Sequence, residues 1–228
     1  MAYSSPYMLV FIFLACFVFA FSDNLVAPGD SEKVKLNLYY ESLCPYCQKF
    51  ITEDLVKVID SDLLTITDLK LVPFGNAEVL DNNTITCQHG EEKCKLNAVQ
   101  ACAISTWPDT LLHLSFITCV EETTKDWKSC VPDPTSLKAI NDCYSGDLSK
   151  KLILEYANQT LSLEPKHEYV PWVTLNGEPL YENYGDFVPL VCKAYKGKEA
   201  LPEICDSSSL SRKKSKLQVS FVEDSKNY

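Results

Sequence analysis

The chain has 228 residues, 11 cysteines and 21 Lys+Arg against 31 Asp+Glu, a formal net charge of −10. With 7 glycines, 12 prolines and 46% hydrophobic residues, it is neither collagen-like nor wholly disordered, and its acidic balance argues against nucleic acid as a partner, because phosphates need a surplus of Lys and Arg on some face. Cysteine at roughly 5% is too sparse for a fold that is only a disulfide scaffold and well above cytosolic usage, which points to one globular domain in an oxidising compartment.

Met8 to Phe21 is an unbroken apolar run of 14 residues followed by the polar Ser22-Asp23-Asn24. That is the length of a signal-peptide core and too short for a membrane span of about 18 to 20 residues. Ala20 and Ser22 supply small residues for cleavage after Ser22, so residues 1–22 read as a signal peptide whose removal takes Cys16 with it. The first seven residues carry no Lys or Arg, which leaves a signal anchor as the alternative. No later run approaches a membrane span, so the mature chain is expected to be soluble in the secretory pathway. Two N-x-[ST] sequons, at Asn82 and Asn158, are candidate N-glycan sites and hence expected at the surface.

Val34, Leu36, Leu38 and Tyr40 alternate with Lys35, Asn37 and Tyr39, the period of a strand with one face buried. From Pro45 the spacing changes: Ile51, Leu55, Val58 and Ile59 share one face of a predicted helix. Thr65 to Val72 reads as a second strand stopped by Pro73, making a parallel βαβ unit. Between about residues 87 and 160 the pattern is helical and cysteine-rich. One helix is predicted over Asn97 to Ser105, a second capped by Thr106 with Pro108 in its first turn, and a third capped by Asp147. A strand over Val170 to Leu175 precedes Asn176-Gly177, a strong hairpin turn, and a last helix runs from about Asp186 to Tyr195. Residues 206–228 lack either period and carry five Lys and Arg against three acidic residues. They read as a disordered or removable tail, with a polyanion-binding patch as the alternative.

Cys44-Pro45-Tyr46-Cys47 stands where the first strand hands over to a helix. A sulfur at a helix N-terminus meets unsatisfied N–H groups and the positive end of the helix dipole, which favour the thiolate. A free cysteine near 8.5 is about one part in several thousand thiolate at pH 5, whereas C-x-x-C cysteines fall to about 3.5 to 7. Cys44 is therefore predicted to attack a substrate disulfide, and Cys47, one turn further on and more buried, to resolve the mixed disulfide. Half of a zinc site and two unrelated structural disulfides are the competing readings of the pair; the chain has no second C-x-x-C to complete a zinc site. Pro45 and Tyr46 lie inside the motif. Val170-Pro171 lies where folds that use this motif place a cis-proline against the sulfurs, offering its main chain to an extended substrate; otherwise Pro171 is a strand-edge proline.

The second cluster, Cys87-Gln88-His89-Gly90-Glu91-Glu92-Lys93-Cys94, continues through Asn97 to Cys102. It resembles C-Q-H-G-x-x-E-C-x-x-N-x-x-x-x-C, the signature of the gamma-interferon-inducible lysosomal thiol reductase family, at Cys87, Gln88, His89, Gly90, Cys94, Asn97 and Cys102. Lys93 stands where the signature has Glu. The similarity runs from the C-x-x-C through Pro171 to Gly177 and covers roughly residues 34–205. It implies an α/β thioredoxin-like fold with a helical, disulfide-rich insertion, a signal peptide, glycosylation, and reduction of protein disulfides at acidic pH in a lysosome-like compartment or outside the cell; neither a bound cofactor nor a metal is expected. Electrons would come from a small-thiol or protein donor. Cys44 and Cys47 would be the redox pair, and part of the region after Cys205 a C-terminal propeptide.

Read from the residues alone, His89 between Cys87 and Cys94 allows a metal site, but the spacing matches no recognised tetrahedral set, and cysteines in a secreted chain more often pair. Gln88 and His89 either bond loop backbone or approach the redox pair. His113 falls in an apolar helix, and His167, four residues before Pro171, is a candidate neighbour of the sulfurs. Setting aside Cys16, Cys44 and Cys47 leaves Cys87, Cys94, Cys102, Cys119, Cys130, Cys143, Cys192 and Cys205 as a structural set whose connectivity is open. A disulfide oxidase or isomerase, and a non-catalytic secreted binding protein on the same frame, are the alternatives to a reductase.

Overall fold

In the computed structural model, which describes residues 33–88, 90–123 and 126–206, the alternating segment forms β1, Val34–Tyr40. The expected signal peptide with Cys16, the signature residue His89 and the tail from residue 207 lie outside the described residues. Helix α1 (Pro45–Lys49) runs through a π-helical stretch, Phe50–Leu55, into α2 (Val56–Ile59). Ile51, Leu55 and Val58 are fully buried along it, as their spacing predicts.

The second strand, β2, covers Thr67–Pro73 rather than Thr65 to Val72. Thr65 closes a 3₁₀ turn over Asp62–Thr65, its hydroxyl donating to the Asp62 carbonyl at 2.6 Å. Pro73 ends the strand without interrupting it, opposite Tyr40 in a parallel register that aligns Leu36 with Leu69 and Leu38 with Leu71. Two short strands follow, β3 (Glu78–Val79) and β4 (Ile85–Thr86), paired with each other.

Four helices then run in succession: α3 (Glu91–Thr106), α4 (Thr110–Thr123), α5 (Pro134–Ser145) and α6 (Asp147–Leu161). Helix α3 begins six residues before Asn97, directly after Gly90, with Glu91 and Glu92 in its first turn, where acidic side chains favour the helix N-terminus. Thr106 ends α3 and does not cap α4. That cap is Asp109, whose Oδ1 accepts the N–H groups of Leu111 and Leu112 at 2.8 and 3.2 Å; a threonine three residues upstream of it is too far from the first turn to compete. Asp147 likewise is the first residue of α6, with Gly146 before it. Helix α5, which the apolar spacing does not reveal, is capped by Asp133 through Thr135 N and Ser136 N and carries Pro134 in its first turn.

The chain returns as β5 (Trp172–Leu175), turns at Asn176 and Gly177, both at positive φ, and ends the sheet with β6 (Glu178–Pro179). The strand begins at Trp172, after Val170 and Pro171. A 3₁₀ segment, Tyr181–Asp186, leads into α7 (Phe187–Ala194), one residue shorter at each end than predicted. The sheet order is β2-β1-β5-β6, with β1 parallel to β2 and antiparallel to β5. Asn176 fixes the hairpin in register, its Oδ1 accepting Lys35 N at 2.9 Å and its own N–H donating to the Lys35 carbonyl at 2.8 Å.

Both sheet faces are covered, which corrects the one-sided reading of β1. Val34, Leu36, Leu38 and Tyr40 pack with Phe50, Ile51, Leu55 and Val58 and with Phe187 and Val191 of α7. On the other face Tyr39, Val72, Phe74 and Trp172 meet Ala101 of α3 and Ile153, Tyr156 and Ala157 of α6. Tyrosine is amphipathic enough to serve either face, so the alternation at Tyr39 carried no warning.

Candidate redox site

Leu43 turns the chain out of β1 with φ 60, a conformation that leucine rarely adopts. Its N–H points to Glu121 Oε2 at 3.4 Å. The turn sets Cys44 as the N-cap of α1, where Pro45 occupies the first turn and loses nothing by lacking an N–H. Cys44 and Cys47 are both buried and are the cysteines that remain thiols among the described residues. Cys44 is 8% exposed and Cys47 fully buried.

Their environments differ in the sense that dithiol exchange requires. The Cys47 thiol donates to the Cys44 sulfur, and the Tyr46 and Cys47 main-chain N–H groups support it, against a smaller burial penalty; together they lower the Cys44 thiol to about 6. These N–H groups act without closing a full capping hydrogen bond. Burial pushes Cys47 well above the ordinary thiol range, and donation to Cys44 adds to the effect. One sulfur is thus prepared to be an anion and the other to hold a proton.

Across the cleft the Val170–Pro171 bond is cis, and the Cys44 thiol faces the Val170 carbonyl at 3.9 Å. Glu41, Leu43, Cys44, Pro45, Tyr46, Asn76, Gln88, Lys93 and Val170 line a cleft of about 590 Å³. Tyr46 is 70% exposed at its rim.

Around the turn before Cys44 runs a set of polar contacts that sequence reasoning missed. Lys93, Asn97 and Gln100 project from α3, spaced to share one helix face. Lys93 Nζ pairs with Glu41 Oε1 at 2.8 Å; Asn97 Oδ1 accepts Ser42 N at 2.9 Å; Gln100 Nε2 donates to Glu121 Oε1 at 2.6 Å and Gln100 Oε1 accepts the Tyr40 hydroxyl at 2.5 Å. The turn before Cys44 is therefore held from α3 and α4 residue by residue. Burial raises the Glu121 carboxyl above its ordinary range, against hydrogen bonds from Gln100 and the Leu43 N–H that lower it. The signature marked Asn97 and Lys93 without giving them a role, and the further signal was a polar stripe on a helix whose neighbours Leu96, Val99, Ala101 and Ala103 are buried.

The remaining predicted residues fall elsewhere. The structural cysteines pair as Cys87–Cys94, Cys102–Cys143, Cys119–Cys130 and Cys192–Cys205. His113 Nδ1 lies 2.8 Å from the Trp107 carbonyl, away from the cleft residues. His167 is held by burial below its ordinary value and feels the Glu41 carboxylate; no hydrogen bond among the described residues joins it to either sulfur. Asn82 is exposed in a turn and Asn158 is exposed on α6. Among the described residues no group of three or more His, Cys, Asp or Glu is placed to hold a metal ion, and no helix is long and apolar enough to cross a membrane.

A family model, Gamma interferon inducible lysosomal thiol reductase (GILT), matches residues 35–134. The Arabidopsis thaliana gamma-interferon-responsive lysosomal thiol protein is 60% identical over 225 residues, covering 95% of this chain and 96% of that one. The Mus musculus gamma-interferon-inducible lysosomal thiol reductase is 37% identical over 193 residues, covering 81% and 76%. The chain belongs to the gamma-interferon-inducible lysosomal thiol reductase family. It is accordingly a thiol-disulfide oxidoreductase. The oxidised structure of BdbD from Bacillus subtilis superposes with a TM-score of 0.54 at 13% identity, covering 74% of this chain and 91% of that one, which establishes the thioredoxin-like fold. The family member described here inserts α3 to α6 between β2 and β5 of that fold.

Proposed function

We propose that this family member reduces disulfide bonds of protein substrates through Cys44 and Cys47. The Cys44 thiolate attacks one sulfur of the substrate disulfide, forming a mixed disulfide and expelling the other sulfur as a thiolate that takes up a proton. Cys47 then gives up its proton and attacks Cys44; the second substrate thiol leaves and the enzyme holds a Cys44–Cys47 disulfide. The substrate gains two electrons and two protons, and a small thiol or a protein dithiol returns the pair to its reduced form. The observation that carries this reading is the asymmetry of the two sulfurs: Cys44 lowered to about 6 and Cys47 raised. Pro45 and Tyr46 shape the rim, and the main chain at Val170 and Pro171 serves an extended substrate segment.

A thiol lowered to about 6 leaves a usable thiolate fraction in acidic surroundings, which supports work in a lysosome-like compartment or outside the cell. The same reading takes residues 1–22 as a signal peptide, 23–205 as one domain with its insertion at about 87–160, 206–228 as a removable tail or propeptide, and Asn82 and Asn158 as glycan carriers. The test is reduction of a disulfide-bonded protein at pH 5 by wild type, Cys44→Ser and Cys47→Ser. Cys44→Ser is expected to be inactive and Cys47→Ser to accumulate a mixed disulfide with substrate; full activity in Cys44→Ser overturns the proposal.

A further inference from the structure

The family signature has a glutamate where this chain has Lys93, and the lysine lines the cleft that contains Cys44. Lys93 Nζ is 2.8 Å from Glu41 Oε1, with the two side chains 6% and 5% exposed. The second Glu41 oxygen accepts the Asn76 N–H at 3.2 Å. Gly75 approaches so closely that a Cβ there would lie 2.6 Å from the Glu41 Cβ, so the Glu41 side chain occupies space that any larger residue at 75 would need. Glu41 and Lys93 line the cleft that contains Cys44, and the Glu41 main chain hydrogen-bonds the Cys47 sulfur. Carboxylate, ammonium and both thiols therefore occupy one small buried region, where charges are weakly screened.

We infer that Lys93 is a positioning residue for the redox step: it fixes the Glu41 carboxylate and cancels its negative charge beside Cys44, so that a second anion, the attacking thiolate, can form there. The inference rests on Cys44 being the nucleophile. The titratable groups that face Cys44 are Cys47 on the same helix, Glu41 at the end of β1, Glu121 from α4 and Tyr184 from the segment before α7. Lys93 and His167 face Glu41. Among these Lys93 supplies the standing positive charge, since burial disfavours the imidazolium of His167. The negative charge of Glu41 opposes the thiolate at both sulfurs, which sets the sign. Removing the ammonium alone should hinder Cys44 ionisation, and removing the carboxylate alone should favour it. A pair that only tied β1 to α3 would move neither.

The experiment is alkylation of the reduced full chain by iodoacetamide between pH 4 and pH 9, with mass mapping of Cys44, in wild type, Lys93→Met, Lys93→Arg and Glu41→Gln. Lys93→Met is expected to slow Cys44 alkylation at pH 5 by about tenfold, the equivalent of one unit, and to move the midpoint to higher pH. Lys93→Arg keeps the wild-type profile, and Glu41→Gln moves the midpoint to lower pH. If Lys93→Met does not fold, Glu41→Gln decides: a lower midpoint supports the inference and an unchanged one overturns it. An unchanged midpoint in folded Lys93→Met overturns it as well. Disulfide reduction by Cys44→Ser, measured alongside, tests the catalytic reading separately, because activity there defeats that reading whatever the Lys93 profiles show.

Discussion

Cys44 and Val170, 126 residues apart, meet in the folded chain, with the Cys44 thiol 3.9 Å from the Val170 carbonyl oxygen. Antiparallel pairing of β5 with β1, Tyr39 opposite Trp172, brings them together. The sulfur sits four residues past the end of β1 and the carbonyl two residues before the start of β5. A substrate segment laid along Val170 would present its disulfide to Cys44 and not to Cys47, which is buried behind it.

The Cys44 thiol at about 6 has a consequence for stability as well as reactivity. A group whose folded value is depressed stabilises the fold above its unfolded value, about 8.5 for a free thiol, and loses that contribution as pH falls through the folded value. Reduced wild type is therefore expected to exceed Cys44→Ser in stability by a margin that grows from about pH 6 to 8.5 and is absent at pH 5. Urea denaturation of both proteins at pH 5, 7 and 8.5 measures it.

Glu121 has the opposite sign. Burial raises its carboxyl, so the folded chain holds that proton more tightly than the unfolded chain, and this contribution to stability falls as pH rises above the ordinary carboxyl range. Glu121→Gln cannot ionise and is expected to flatten that part of the profile. Thermal midpoints of the two proteins between pH 4.5 and 7.5 give the comparison: the wild-type midpoint should fall more steeply over that interval.

Asn97 is the signature residue whose role the geometry explains most directly. Its Oδ1 accepts Ser42 N at 2.9 Å and its Nδ2 donates to the Phe74 carbonyl at 3.4 Å, all in buried surroundings. Asn97→Ala leaves the Ser42 N–H without that acceptor, at a cost of about 1–3 kcal/mol. The same variant should lose disulfide-reducing activity at temperatures where it remains folded, because the turn that aims Cys44 is loosened. Denaturant midpoint and initial rate, measured on one preparation, separate the two effects.

How much of this was legible in the sequence depended on range. Strand β1, the Asn176-Gly177 hairpin and the C-x-x-C at a strand-to-helix junction are local patterns, and each is written in a few adjacent residues. The cap of α4 was misplaced because Thr106 and Asp109 both have capping side chains, and only the path of the chain chooses between them. Helix α5 was missed because only Ile140 and Cys143 of its twelve residues are buried, too few to mark a face. The Glu41–Lys93 pair joins residues 52 apart and the Leu43–Glu121 bond residues 78 apart. Such partners share no sequence period, so the polar support of the site became visible only with the fold.

The disulfides divide by the loops they close. Cys102–Cys143 joins residues 41 apart and Cys87–Cys94 residues 7 apart. On loop-closure entropy alone, removing the first pair with a double Cys→Ala change should cost about 4 kcal/mol and the second about 2 kcal/mol. Denaturation of the two double variants checks the order, and equal losses would show that strain or packing outweighs the closed loop.

The most direct measurement of the central claim is a redox titration of the purified chain at pH 5 and pH 7, with mass mapping of every cysteine. The expected result is that Cys44 and Cys47 exchange between thiol and disulfide over the potential range in which substrate is reduced, while the eight cysteines of the four disulfides stay paired. If Cys44 and Cys47 remain thiols throughout, or if another pair changes state first and its loss abolishes activity, the redox centre lies elsewhere.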